Sequence, residues 1–395
     1  MNPATKRKGI TIMHTLTTFL LATILALAIT PAPQSRKKSP PQEKPEEKMG
    51  CGTVIPPEQL KAELARRAES AGKNSAALAA PPPTDAPYYL PMTIHMVCDD
   101  FGIGGLSSEQ LDAAMRNLNQ MWRPVGIQFF IYGEIDYSIH DDDFYVLPNV
   151  DAKQDALRQV NAVPNTINVY FTNLQGIAGQ ARFTVSHAQG VLLDYSVMSG
   201  YSSGFFDLEV FAHEMGHYFD LYHTHEDDFG IECPSGNNCS SAGDLLCDTP
   251  ADPRLFNPIR VDPNCVYDNS AAPPANCGNT PYNPLTNNLM SVARRPCRNQ
   301  FTPNQISKVL QTLHGSDKRR NLINSRTRYV DRLASASNNY CTYTAPCRTV
   351  AKALQAANNG DFILLKWGTY AASSIGGKRV TLGRWGFENG VVIWP

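Results

Sequence analysis

"FAHEMGHYFDLYHTHE", residues 211–226, gathers four of the chain's nine histidines into one short stretch, with a glutamate directly after the first. Histidine is only a middling helix former, so helix propensity does not explain the cluster. His213 and His217 stand four apart, which on a helix places both rings on one face within reach of one ion. His223 follows six residues after His217, where the chain must leave the helix and turn back to bring a third ring nitrogen. Three neutral imidazoles with an open fourth position describe a catalytic zinc site rather than a closed structural one. Glu214, one position round from the first ligand, addresses a water on that ion without ligating it, as a general base does in metal-assisted hydrolysis. The competing reading, surface histidines on an ordinary helix, explains neither the third spacing nor the glutamate. His225 is read as a bystander. The helix is expected from about Phe205 to Leu221, with Leu208, Phe211, Ala212, Met215 and Phe219 toward the core.

Working outward, "YYLPMTIHMVCD" from Tyr88 alternates like a strand. Ser107 and Ser108 cap a helix through "EQLDAAMRNLNQMW", with Leu111, Met115, Leu118 and Met121 on one face. "GIQFFIYGEI", "TINVYFTNL" and "GVLLDYSVM" are further strands, so the order of elements predicts an α/β layer arrangement. From Glu226 to Asn288 regular structure fades, and proline, asparagine, glycine and five cysteines dominate. A span that long without elements needs covalent or metal links. "TPNQISKVLQTLH" restores a helix capped near Thr302 or Asn304. "SDKRRNLINSRTRYVDR" reads as a solvated helix or linker.

The 395 residues are 42% hydrophobic and 18% charged, with a formal net charge of -1. That balance offers nothing to nucleic acid or to an anionic membrane. Lys6, Arg7 and Lys8 precede an apolar run from about Leu16 to Ile29, followed by small residues, the pattern of a secretory signal peptide. A membrane anchor is the rival reading, because Arg36, Lys37 and Lys38 follow the run. The run falls short of the ~20 apolar residues a span needs. Ten cysteines without a C-x-x-C pair agree with export and disulfides. A lipoprotein at Cys51 is excluded, because Glu46, Glu47 and Lys48 stand where a lipobox needs apolar residues.

The stretch "HEMGHYFDLYHTHE" resembles the extended zinc signature of the metzincin metalloproteases, most closely that of the pappalysin family. "GDLLCDTPAD" at 243–252, "NNLMSVARRPCRNQFTPNQ" at 287–305 and "CGT" at 51–53 are similar to further motifs of that family, and the resemblance spans about 51–315. It implies an α/β (α+β) catalytic domain with a twisted mixed sheet, a zinc helix and an irregular disulfide-held C-terminal subdomain. It implies zinc on His213, His217 and His223, Glu214 as general base and acid, and Met290 of a Met-turn as the floor beneath the imidazoles. It further implies Cys277–Cys297, and Cys265 paired with Cys233 or Cys239; Cys341–Cys347 is another candidate pair. Asp244 and Asp248 are candidate calcium ligands by the same resemblance, solvated loop carboxylates being the alternative. Cys51 is read as a disulfide partner, with a thiolate blocking zinc in a latent form as the alternative. "GIAGQARF" at 176–183 matches the edge strand on which substrate backbone pairs.

Two positions depart from the family. Asp220 stands where relatives carry glycine in a left-handed turn, a conformation that Asp tolerates better than most residues. Val292 stands where the Met-turn normally carries a tyrosine that hydrogen-bonds the developing oxyanion, and Tyr282 is a nearby substitute. The expected organisation is a signal peptide at 1–33, a disordered linker or pro-segment with one short helix at 34–87, and a zinc metalloprotease domain at 88–315. A linker at 316–340 and a C-terminal segment at 341–395 follow. "CRTVAKALQAANNGDFILLKWGTY" in that segment resembles the opening turns of a right-handed parallel β-helix, a candidate contact for glycan or a cell surface. The expected function is a secreted zinc endopeptidase acting on protein or peptide, with no membrane span in the mature chain. The alternative is a catalytically weak or inactive protease fold serving as an extracellular binding or adhesion module.

Overall fold

The computed structural model describes residues 51–70, 87–198, 208–255, 260–371, 373–374, 376–385 and 391–394. The expected signal peptide, the charged stretch after it and the start of the zinc helix at 205–207 lie outside the described residues. The first described segment holds helix α1, Pro57–Ser70. Strand β1, Tyr88–Cys98, is buried along nearly its whole length. The expected alternation is therefore one of faces, not of exposure. Leu90, Met92, Ile94 and Met96 point to the main core, while Val97 belongs to a second cluster on the opposite face.

Helix α2, Ser108–Trp122, starts in a capping box, with Ser107 as N-cap and Gln110 returning the bond. It buries Leu111, Ala114, Met115, Leu118 and Trp122 against the sheet, and Met121 packs at the margin. The sheet continues with β2 (Ile127–Ile131), β3 (Asp136–His140), β4 (Val146–Leu147), β5 (Ile167–Leu174), β6 (Gly179–Ala181) and β7 (Val191–Asp194). Its order is β2-β1-β5-β7-β6, with β3 on β1 and β4 on β5. Every pairing is parallel except β6 with β7, which makes β6 an antiparallel edge. "GVLLDYSVM" is strand only as far as Asp194, whose carboxylate accepts from Ser196 N and Val197 N and so starts a helical turn, Tyr195–Met198.

Helix α3, Glu209–Tyr218, crosses the sheet beside α2, and Phe211, Ala212, Met215 and the following Phe219 are fully buried. Trp122 Nε1 donates to Ala212 O at 3.3 Å and ties the two helices. Beyond α3 the chain is irregular until helix α4, Pro303–Gly315, which begins in a second capping box on Thr302 and Gln305.

The disulfides there differ from expectation. Cys233 bonds Cys277, Cys239 bonds Cys247 and Cys265 bonds Cys297, in place of Cys277–Cys297 and of Cys265 with Cys233 or Cys239. Spacing along an irregular chain carries no distance information, so only the folded path of the loop sets the pairing. Cys341 bonds Cys347.

Residues 316–340, expected as a linker, are built into the fold. They carry the helical turns Asp317–Arg320 and Leu322–Ser325 and strand β8, Thr327–Val330. The Arg319 guanidinium is fully buried, donating to Tyr218 O, Arg182 O and Gln189 Oε1. After helix α5, Val350–Ala356, come β9 (Phe362–Leu365), β10 (Gly368–Ala371), β11 (Thr381–Arg384) and β12 (Val391–Trp394). They alternate between two parallel sheets, β11-β9-β8 and β10-β12. This segment lies on the β1–β2 side of the large sheet through aromatic rings: Tyr343 stacks on Tyr88 at 4.3 Å, and Phe362 meets Tyr89 and Phe130. No described helix is long and apolar enough to cross a membrane.

Candidate metal centre

Helix α3 carries His213, Glu214 and His217 one turn apart, and packing of its apolar face leaves all three buried. The helix stops because Asp220 takes a left-handed φ of 63°. Its carboxylate secures that turn, accepting from Thr184 N at 2.8 Å and from Thr184 Oγ1 at 2.7 Å. The chain then doubles back and delivers His223. His217 Nε2 lies 3.2 Å from both His213 Nε2 and His223 Nε2.

Tautomers follow from the other ring nitrogens. His213 Nδ1 donates to Leu289 O, and His217 Nδ1 donates to Leu221 O at 2.8 Å. With the ring protons placed there, the Nε2 lone pairs face one another. Burial holds His213 and His223 well below the ordinary imidazole range and pulls His217 down to about 4, so a shared proton does not relieve the contact. A cation does.

The Met-turn supports the cluster from below. Met290 is fully buried, and its sulfur lies so close to Gly216 that a Cβ at that position would overlap it. Met290 N donates to Asn288 Oδ1, and the Asn288 amide is paired with Gln305 of the α4 cap. Asp252 Oδ2 accepts from Thr224 Oγ1 at 2.6 Å and Ser291 Oγ at 2.9 Å, clamping the residue after His223 to the residue after Met290.

Glu214 lies against Gly179 of the edge strand β6, where a Cβ would come within 2.7 Å of its Cγ. Thr53 Oγ1 donates to Glu214 Oε2 at 3.0 Å, while Oε1 is buried without a partner. Burial pushes the Glu214 carboxyl up to about 7.

Cys51 is a free thiol, not the expected disulfide partner. It forms a parallel bridge with Gly179, and Gly52 N donates to Gly179 O at 2.8 Å. This pairing aims Sγ at the centre, where it and one ring nitrogen from each of the three histidines lie within 4.8 Å of one another. Helix α1 anchors the segment, with Gln59 Nε2 donating to Tyr222 OH and Ile55 in a cluster with Phe183, Tyr222 and Phe229.

The cluster opens into a cleft of about 620 Å³. Val292 lines it, but Tyr282 does not; that ring borders a separate 170 Å³ cavity with Thr224, Glu226 and Glu232. His225 lines the main cleft, its ring stacked on His223. Asp248 uses its carboxylate to accept from Thr302 Oγ1 and Asn304 N at the start of α4, and Asp244 accepts from Leu246 N and Thr249 Oγ1. Among the described residues, neither belongs to a group of three ligand atoms close enough to hold one ion.

Sequence reasoning missed three cleft residues, Arg254, Arg295 and Arg298. The signal for Arg295 and Arg298 was the basic run "ARRPCR" directly after the Met-turn; Arg254 carried none. Arg298 is buried and ion-paired with Glu209 at 3.1 Å. Glu209 opens α3, so the pair joins the zinc helix to the Met-turn segment.

Residues 165–314 match the family described as pregnancy-associated plasma protein-A. An extracellular metalloprotease of Colletotrichum graminicola is 27% identical over 270 residues, covering 66% of this chain and 88% of that protein. One from Pyricularia oryzae is 27% identical over 217 residues, covering 52% and 67%. Mature mirolysin of Tannerella forsythia, solved with a cleaved peptide, superposes with a TM-score of 0.43 at 19% identity, covering 60% of this chain and 96% of that one.

Proposed function

We propose, on the premise that residues 165–314 belong to the pappalysin family of metallopeptidases, that this chain is a secreted zinc-dependent endopeptidase. The observation that carries this reading is the meeting of the three imidazole Nε2 atoms, two of them held as acceptors by backbone carbonyls on the far side of their rings. His213, His217 and His223 fit zinc and would hold it. Zinc, when bound, polarises a scissile carbonyl and acidifies water.

Glu214 does the proton work. Here Thr53 occupies its Oε2; once residues 51–53 leave, the carboxylate takes the proton of the attacking water and returns it to the leaving amine. A carboxyl poised near neutrality suits both halves of that exchange. Substrate backbone pairs along β6, the sheet edge, by strand addition. An intact, partnered Glu214 favours the enzyme over an inert binding module.

In the described chain, residues 51–53 occupy that edge and the Cys51 thiol faces the imidazoles, so this form is latent. Displacement or cleavage of the segment frees both. Secretion through the signal peptide at 1–33 agrees with four disulfides among the described residues. Asp244 and Asp248 are engaged within the protein, and calcium enters the reading no further.

Elemental analysis and peptide digestion of wild type, Glu214→Ala and Cys51→Ala test the proposal. One zinc per chain is expected. After removal of residues 51–53, Glu214→Ala keeps the metal and loses about 10³-fold or more in kcat, while Cys51→Ala frees the metal side but still needs the segment displaced from β6. Folded protein free of stoichiometric metal, or near wild-type cleavage by Glu214→Ala, contradicts it.

A further inference from the structure

We propose that His225 is a further catalytic residue, its Nε2–H donating a hydrogen bond to the carbonyl oxygen of the scissile peptide bond as that oxygen gains negative charge. This deepens the peptidase reading and rests on it.

Amide hydrolysis concentrates charge on one oxygen. As the water oxygen bonds to the carbonyl carbon, the π pair moves onto the carbonyl oxygen. The pair returns when the C–N bond breaks and Glu214 passes the proton to the amine. A fixed N–H or O–H aimed at that oxygen lowers the barrier, because its bond is strongest at the transition state. The Met-turn offers no such donor: Val292 lines the cleft with an alkyl side chain, and Tyr282 borders the separate 170 Å³ cavity.

With residues 51–53 displaced, the side-chain donors lining the cleft besides His213 and His223 are His225, Arg254, Arg295 and Arg298. Arg298 is held by Ser291 O and Glu209 Oε1, and its Nε is buried. Arg295 has a partner of its own. Arg254 shares both cavities with Glu226 and Asp227, whose carboxylates compete for its donors.

His225 differs from all three. Its ring stacks on His223, with centroids 4.8 Å apart and planes inclined by 30°, and it is close enough for its charge to act on His213 as well. The side chain is half-buried, and Nδ1 is the nitrogen sealed from solvent, without a partner. An orphaned buried N–H is rarer in proteins than an under-used acceptor, which places the proton on Nε2, the nitrogen left open. Protonating the ring would add a proton at Nδ1 and leave the Nε2 donor in place, so the assignment holds in either charge state. Because stacking fixes the ring, the donor needs no reorganisation during the reaction.

The zinc-loaded enzyme, with residues 51–53 removed, is compared as wild type, His225→Phe, His225→Gln and Tyr282→Phe. Phenylalanine keeps a ring against His223 but offers no donor; glutamine gives up the ring and restores an amide N–H. Zinc content, kcat and KM are measured on the peptide that wild type cleaves best. A phosphinic peptide of the same sequence, whose tetrahedral phosphorus mimics the attacked carbonyl, is measured as an inhibitor. His225→Phe should keep one zinc and a nearly unchanged KM, while kcat falls about 10²-fold. Affinity for the phosphinic peptide should fall in parallel. His225→Gln should lie between His225→Phe and wild type, and Tyr282→Phe should match wild type.

Wild-type kcat in His225→Phe, or an equal loss in Tyr282→Phe, overturns the proposal. A loss of kcat that comes with loss of zinc, or without any loss of inhibitor affinity, makes His225 a packing partner of His223 and overturns it as well. Wild-type enzyme that cleaves no peptide sinks the peptidase reading, and this inference with it.

Discussion

Residues 88–198 and residues 219–302 border the same three histidines, yet they are held by different forces. The first region is a ladder of mostly parallel strands, with Leu90, Met92, Ile94, Val169, Phe171 and Leu193 fully buried under α2 and α3. Among its described residues there is no disulfide; Cys98 is free. Among its described residues the second has short 3-10 turns and isolated bridges as regular structure, and three disulfides cross it. Its turns are closed by side chains bonding backbone: Asn238 to Cys233 N, Asp244 to Leu246 N, Asn288 to Met290 N. The helix packed on the sheet region positions two imidazoles and Glu214 through burial of an apolar face. The loop region positions the third imidazole, the methionine floor and the cleft arginines with almost no core of its own. Catalytic geometry thus depends on apolar packing on one side and on covalent and polar locks on the other.

The comparison breaks first in the sheet region. Trp122 is fully buried, meets Phe129, Phe219 and Phe301, and bonds Ala212 O. Trp122→Ala should cost about 3–5 kcal/mol, read as a lowered urea midpoint, with kcat per folded molecule changed little. A kcat loss exceeding the loss of folded protein would show that the sheet region also tunes the site directly.

The loop region should behave in the opposite way. Removing Cys265–Cys297 by double serine substitution opens a loop spanning 32 positions, worth roughly 3–4 kcal/mol in the chain-entropy model. Because Cys297 sits beside Arg298 and the Met-turn, activity should fall together with the melting temperature. The equivalent change at Cys341–Cys347 should lower stability and leave kcat intact. Equal kcat losses from both bridges would erase the distinction.

Asp220 sits on the border between the regions. Asp220→Gly relieves a left-handed conformation worth ~1 kcal/mol but deletes both bonds to Thr184. Charged acceptors contribute about 1.5–3 kcal/mol each at most, so a net loss of about 1 kcal/mol or more is expected. Asp220→Asn should fall between the two. A more stable glycine variant would mean that the turn, not its carboxylate, holds the loop.

The smallest effect concerns pH. Glu232 is buried in the loop region with Oε2 unpartnered, and desolvation raises its carboxyl to about 7. The folded state keeps a proton that the unfolded chain releases near 4.5, so this contribution is full below that value and is lost as pH rises toward 7. Glu232→Gln should flatten the decline in melting temperature between pH 4.5 and 7. An unchanged slope would place the titration elsewhere.

Much of this molecule was legible from residue types alone. The spacing of His213 and His217 anticipated that their rings meet, because helix geometry converts four-residue spacing into proximity, and His223 joins them as expected. Apolar periodicity placed α2, α3 and β1, and Ser107 and Thr302 announced their helices through local capping chemistry. Asp220 was expected to hold a left-handed turn, and it does. What the sequence could not decide depends on contacts between distant segments. Cysteine pairing across the loop, the free Cys51 thiol paired through Gly179 to the imidazoles, and the incorporation of 316–340 around Arg319 are of that kind. So is the ion pair in which Glu209 meets Arg298 across 89 positions. Local rules act over a few residues, whereas irregular backbone has no period from which to infer where it returns; only tertiary packing sets those distances.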